Sequence, residues 1–286
     1  MISVIIINYN TFDLTAQCIK SIIDQTYDIE YEIILVDNAS SDRNPDDFLI
    51  FFPNIHLIKS DTNLGFAKGN NLGVRHASGD IILLLNSDTY FTENTLKKSF
   101  DKFCTLPKVG FLGVKMQYPD GRLQYTARRF RSIGWELLDL FRFIPFLLPY
   151  ESRVKLMLGK YFKSDVDLEC DWLNGAFLMF NRSVLNELPN QQLDERFFMY
   201  GEDHLWCYQV HSIGYINYFF SGTFIVHINN ASTEPAKRLR LLKTMFKHEL
   251  EIMSVRKNKG LYYYLFFMLY GFKDQGRYFF KRFFKR

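Results

Sequence analysis

The segment "GDIILLLNSDT" (residues 79–89) sets five aliphatic side chains, Ile81 to Leu85, directly before Asn86, Ser87 and Asp88. An unbroken aliphatic run of this length predicts a strand covered on both faces, as in parallel sheets. Its most water-averse stretch ends in a carboxylate, which is a chemical choice to be explained. Working outward, "GFAKGNNLGVRHA" (65–77) reads as a Gly-opened helix and "IHLIKS" (55–60) as a strand, with "DDFLIFF" (46–52) helical before it. Further upstream, "YEIILVDNASSD" (31–42) is an aliphatic run ending in polar residues. "TAQCIKSIIDQ" (15–25) has Ala16, Ile19, Ile22 and Ile23 at helical spacing, and "SVIIINYN" (3–10) opens the series. Strand and helix alternate, so the expected fold is α/β with a mostly parallel central sheet flanked by helices.

Ligands of open α/β sheets bind beyond the carboxyl ends of the strands. Three of the expected strands end in small polar clusters: Asn8-Tyr9-Asn10, Asp37-Asn38-Ala39-Ser40 and Asn86-Ser87-Asp88. Any one of them could simply start a turn. Three at successive strand ends point to a site.

Composition sets the frame. The 286 residues are 48% hydrophobic, which suits one large domain or one domain with appendages. Net charge is +4, unevenly spread: residues 237–286 hold fourteen Lys/Arg against Glu249, Glu251 and Asp274, so that stretch is +11 and the remainder −7. The asymmetry predicts an anionic partner for the tail. Cys18, Cys104, Cys170 and Cys207 have no metal or redox spacing and are expected to be buried thiols of a reducing compartment. No basic n-region precedes "ISVIII", so a secretory signal is not expected. The apolar "GLYYYLFFMLYGF" (260–272) falls short of the ~20 residues that span a bilayer.

The strand-end signatures "SVIIINYN", "EIILVDNASSD", "NLGFAKGNN" and "GDIILLLNSDT" resemble those of family 2 glycosyltransferases with the GT-A fold. "WLNGAFLMF" (172–180), "LDERFFMYGEDHLWCYQV" (193–210) and "FIVH" (224–227) continue the pattern. Together they cover roughly residues 2–235 and are similar to the rhamnosyltransferase-like branch. The resemblance implies a nucleoside diphosphate-sugar donor, UDP- or dTDP-linked, and a glycan or lipid-linked saccharide acceptor. It implies an inverting, metal-dependent transfer in bacterial-type cell-surface polysaccharide synthesis. It divides the chain into a GT-A domain at 1–235, with a nucleotide-binding half at 1–100 and an acceptor and catalytic half at 101–235. A helical basic and aromatic extension follows at 236–286.

The same resemblance assigns residues. A hard cation, Mg2+ or Mn2+, neutralises the two phosphates and needs a rigid carboxylate; Asp88 at the strand tip is that ligand, joined by His227. The family's Asp-x-Asp begins here with Asn86, which leaves Asp88 as the main carboxylate and Asn86 for the ribose or a metal-bound water. Tyr9, Asn10, Asp37 and Asn38 match positions around the base, and Asn63, Gly65, Gly69 and Asn70 those near ribose and phosphate. Trp172, Asn174 and Gly175 line the sugar and acceptor pocket. Asp203 matches the catalytic base, with Glu202 as its neighbour and Asp194 and Glu195 orienting it. Without the other motifs, Glu202-Asp203 would read as acidic residues opening a helix, and His227 as strand-end polar packing. Arg128, Arg129 and Arg131 read equally well as phosphate contacts or as an exposed charged loop.

"RYFFKRFFKR" (277–286) puts Phe279, Phe280, Phe283 and Phe284 on one side of a helix and Lys281, Arg282, Lys285 and Arg286 on the other. That is the pattern of an interfacial helix on an anionic membrane surface, and predicts a cytoplasmic protein held peripherally at the inner face of the membrane. Rival readings are a nucleotidyltransferase, for which the phosphate loop is missing; a nucleic-acid-binding protein, disfavoured by the acidic body; and a catalytically inactive sugar-nucleotide-binding homologue, against which Asp88 and Asp203 argue.

Overall fold

The computed structural model describes residues 1–228 and 235–284, with 235–239, 274–275 and 277–284 described as helix only. The opening half follows the expected alternation: β1 (Ile2–Asn8), α1 (Phe12–Gln25), β2 (Tyr31–Asp37), α2 (Asp47–Phe51), β3 (His56–Lys59), α3 (Gly65–Arg75) and β4 (Ile81–Asn86). The strands lie in the order β3-β2-β1-β4 and all pair in parallel. The aliphatic runs are continuous because both faces are covered. Ile2, Val4 and Ile6 of β1 face Ile19 and Ile22 of α1. Ile5 faces the other way, toward Ala67 and Val74 of α3. A Cβ on Gly73 would lie 2.4 Å from Ile5, and one on Gly69 3.4 Å from Ile7. Glycines four apart on α3 thus let the helix lie directly on β1.

The second half mixes directions. After β5 (Thr89–Tyr90) and α4 (Thr95–Cys104) come β6 (Val109–Gln117), β7 (Leu123–Gln124) and β8 (Ala127–Arg128). Three short helices follow, α5 (Ile133–Leu140), α6 (Phe143–Leu147) and α7 (Tyr150–Met157). Then come β9 (Leu168–Cys170), β10 (Trp172–Leu173), β11 (Phe177–Asn181), α8 (Glu202–Ser212) and β12 (Ile216–His227). The sheet continues from β4 as β11-β6-β12-β5; β11 is antiparallel to β4 and β6, while β12 runs parallel to β6. β8 and β10 form a separate two-stranded ribbon.

α9 (Pro235–Lys257) and α10 (Leu261–Phe284) close the described chain. α10 packs on α5 through buried charge: Lys273, 3% exposed, bonds Glu136 and Asp139. The phenylalanine and cation pattern of residues 277–286 lies outside the described side chains. Cys18, Cys170 and Cys207 are buried thiols as expected, whereas Cys104 is exposed at the end of α4. No described helix is long and apolar enough to cross a membrane.

Candidate active site

A cavity of about 540 Å3 opens where β1, β2 and β4 end, and reaches across to α8 and α9. That volume suits a small-molecule site. The expected residues Tyr9, Asn38, Asn63, Gly65, Asn86, Asp88, Trp172, Asn174, Gly175, Glu202, Asp203 and His227 all line it.

Four others do not. Asp37 is 2% exposed, and its carboxylate accepts from Asn8 Nδ2 and Ser40 N, so it ties β1 to the turn after β2. Asn10 accepts from Ser41 N and anchors the same turn. Asn70 is buried and donates back to Phe66 O within α3, and Gly69 serves the α3–β1 packing. These four residues are not among those that line the cavity. Asn38 also differs from expectation. Its amide donates to Asn63 Oδ1 and Gly65 O and accepts from Leu64 N. These bonds pin the 63–65 loop and leave one Asn38 Oδ1 acceptor site beside the cavity, with Tyr9, 44% exposed, as the open aromatic at that end.

Asp88 sits one turn beyond β4. β5 pairs antiparallel with β12 so that His227 faces Thr89, and Ile228 N donates to Asp88 O at 2.9 Å. This register brings His227 Nε2 to 3.2 Å from Asp88 Oδ1. Gln124 settles the imidazole's state. Its Nε2 donates to His227 O at 2.5 Å, so its Oε1 faces His227 Nδ1 at 2.9 Å and must accept. Nε2 of a neutral His227 would then oppose a carboxylate oxygen, lone pair to lone pair. A cation between them would satisfy both. Asn86 Oδ1, buried in the same cavity, has no partner among the described residues. Asp88, His227 and Asn86 together fit a hard cation whose remaining ligands come from the substrate; among the described residues there is no group of three His, Cys, Asp or Glu that could hold one alone.

The acidic pair Glu202 and Asp203 also lines the cavity. Gly201 precedes α8 with φ +98°, where a Cβ would also lie 3.2 Å from His248 of α9. The turn aims Glu202 and Asp203 into the cavity. Asp203 Oδ2 accepts from Gly175 N at 3.0 Å and Oδ1 from His204 N at 2.8 Å. Burial raises the pKa of Asp203 against these two donors. Glu202, 6% exposed with Oε2 unpartnered among the described residues, is pushed up to about 8 by burial and by Asp203. Burial thus raises both carboxyls of this adjacent pair, Glu202 to about 8. Asp194 and Glu195 do not touch Asp203. Asp194 holds Arg196 and Gln209, its carbonyl accepts from Trp206 of α8, and Glu195 accepts from Asn71 of α3.

The helical extension is part of the site. Glu249 of α9 lies 3.3 Å from His204 Nδ1, and the His204 ring is stacked between Phe130 and Trp172. Burial would raise the Glu249 carboxyl, but His204, Arg131 and Arg256 hold it down at about 2. Leu241, Met245, His248 and Ile252 of α9 and Tyr270 of α10 complete the wall. The division after residue 235 thus falls within the material that encloses the cavity.

Glu202 makes stability depend on pH. In the unfolded chain it ionises near ~4.3; folded, near about 8. Between these values the folded protein keeps a proton that the unfolded chain has released, so stability falls as pH rises and levels off above the folded value. Glu202→Gln removes this slope. Its melting temperature should gain on the wild type steadily from pH 5 to pH 8 in calorimetry; a constant difference would mean that Glu202 is ionised in the fold.

Comparison with known proteins agrees with this geometry. The family model described as glycosyl transferase family 2 matches residues 3–188. The chain is 24% identical over 222 residues to the N-acetylglucosaminyl-diphospho-decaprenol L-rhamnosyltransferase of Mycobacterium tuberculosis, covering 72% of this chain and 70% of that one. It is 35% identical over 176 residues to the uncharacterized glycosyltransferase YwdF of Bacillus subtilis, covering 60% and 65%. In fold it is similar to the mannosyltransferase PcManGT of Pyrobaculum calidifontis, solved with GDP-Man and Mn2+, with TM-score 0.61 and 17% identity over 94% of this chain and 69% of that one. The family model matches most of the chain's length and the fold is that of GT-A glycosyltransferases, so the chain belongs to glycosyltransferase family 2.

Proposed function

We propose that the chain is an inverting, metal-dependent glycosyltransferase. It moves a sugar, rhamnose as first assignment, from a UDP- or dTDP-linked donor to a lipid-linked saccharide in bacterial-type cell-surface polysaccharide synthesis. The observation that carries this reading is Asp203, whose two oxygens are held by Gly175 N and His204 N in the cavity that Asp88 and His227 also line. The relative from Mycobacterium tuberculosis supports rhamnose and a diphospholipid acceptor, and PcManGT, solved with Mn2+, supports a divalent ion.

Asp203 takes the proton of the acceptor hydroxyl as that oxygen attacks the anomeric carbon. Its raised pKa suits a general base. Glu202, protonated, keeps a second negative charge away from Asp203. Asp88 and His227 would hold Mg2+ or Mn2+, with Asn86 beside them, and the ion when bound neutralises the diphosphate as it leaves. Tyr9 and the 63–65 loop border the nucleoside end, and Trp172, Asn174 and Gly175 the sugar and acceptor end.

The membrane is the second part of the reading. Phe143, Phe146 and Leu147 of α6, and Leu261, Met268 and Phe272 of α10, are exposed. Arg142, Lys155, Lys257 and Lys259 are exposed on the same helices or beside them. Such a surface suits peripheral docking on an anionic leaflet at the cytoplasmic face, beside a lipid-linked acceptor.

Two experiments test the reading. Asp203→Asn keeps the shape and one of the two backbone hydrogen bonds but cannot take a proton, so turnover should fall ~10²–10⁴-fold with donor affinity nearly unchanged. NMR of the wild-type product should give the anomeric configuration opposite to the donor's; retention, or a variant within a few-fold of wild type, would overturn the assignment. In flotation on anionic vesicles, the combined Leu261→Ser, Met268→Ser and Phe272→Ser variant should move to the unbound fraction, and unchanged flotation would contradict docking through α10.

A further inference from the structure

Three arginines lie close together just after the β8 turn, and the structure treats them differently. Arg129 pairs with Asp171 at 3.0 Å and donates to Lys155 O. Arg131 pairs with Glu136 at 2.7 Å and reaches Glu249 at 3.6 Å. Arg128 has no carboxylate at ion-pair distance among the described residues. Its guanidinium lies over the Trp172 ring, 5.0 Å from the centroid, and its buried Nε has no hydrogen-bond partner there. It faces the cavity all the same, beside Trp172 and Asp203.

An uncompensated cation in a partly buried wall is costly, and a fold that keeps one has an anion to place against it. The site does not answer that need internally. Both Asp203 oxygens are already held by backbone donors, and Glu249 is taken by His204 and Arg131. Burial and the neighbouring charge of Arg131 lower the Arg128 pKa; the Asp203, Tyr125 and Glu249 charges nearby offset this only in part, and an arriving anion would relieve the remainder. The pairing of Arg128 with Trp172 between β8 and β10 fixes the position rigidly. Arginine stacked on an aromatic, with its planar fork left open, is suited to phosphate.

We propose that Arg128 binds a phosphate of the acceptor, so that the sugar whose hydroxyl faces Asp203 is the one that itself carries the phosphate. This rests on the glycosyltransferase reading and narrows it. The acceptor class is a glycosyl phosphate or diphosphate attacked on its first sugar, and not a neutral glycan extended at a distant end. Arg128 and Asp203 line the same cavity, near enough for the carboxylate to act on the guanidinium, so the anion and the reacting hydroxyl would belong to neighbouring parts of one acceptor.

The test is binding, read without turnover. N-acetylglucosamine 1-phosphate and its neutral methyl glycoside are titrated by NMR against the full chain, and UDP with Mn2+ is titrated separately. The wild type should prefer the phosphorylated probe about tenfold or more. Arg128→Gln should abolish that preference, and Arg128→Lys should keep part of it as a point charge. Arg128→Met, which retains the stem over Trp172, replaces the Gln variant if its melting curve shows a folding defect. Equal binding of both probes by the wild type would overturn the proposal. So would a variant that loses UDP affinity while keeping the preference, because Arg128 would then serve the donor. A wild type that prefers the phosphorylated probe yet transfers no sugar from any donor would sink the transferase reading and leave the anion site standing.

Discussion

The cavity is organised around one contact, His227 Nε2 against Asp88 Oδ1 at 3.2 Å. The two residues come from strand ends far apart in the chain, and only the pairing of β5 on β12 sets them side by side. A one-residue slip in that register would turn His227 to the other face of the sheet. β4 is buried on both faces and cannot slide, and Gln124 holds the imidazole from behind. The aliphatic run that seemed an odd place for a carboxylate is the reason the carboxylate is rigid.

Enclosure is the second constraint. A chain of buried charge runs from Lys273 on α10 through Glu136 on α5, Arg131 and Glu249 on α9 to His204, which adjoins Asp203. Removing one partner from such a series leaves an uncompensated buried charge, commonly worth ~3–5 kcal/mol. The two C-terminal helices therefore cannot swing away from the site without exposing its acidic wall. The family match ends at residue 188, before α8 and α9. Asp203, proposed as the base, and the helices that enclose it lie beyond that match.

Much of this was legible in the sequence, for identifiable reasons. The β/α alternation of the first 88 residues is written in local aliphatic runs and Gly-opened helices, so the elements and the parallel sheet follow from periodicity. Strand-end polarity located the cavity. The individual roles were less legible, since facing inward or knitting a turn is decided by contacts between strands. Asp37, Asn10 and Asn70 carry the right chemistry and spend it on neighbouring backbone and side chains. Gln124, His204 and Glu249 gave no signal at all. Gln124 lies 103 residues from His227, and Glu249 meets His204 only because α9 folds back over α8. Pattern within one segment cannot report such contacts.

The central claim is that the ends of β4 and β12 bind a divalent ion together with a nucleoside diphosphate. Electron paramagnetic resonance of Mn2+ reads this directly, because the six-line signal of the free ion disappears on binding. With wild-type protein, adding UDP should remove most of the free signal at an Mn2+ concentration that the protein without nucleotide, or UDP without protein, leaves largely unbound. Asp88→Ala should restore it while the fold stays intact by circular dichroism. An Asp88→Ala protein that takes up Mn2+ and UDP as the wild type does would contradict the account.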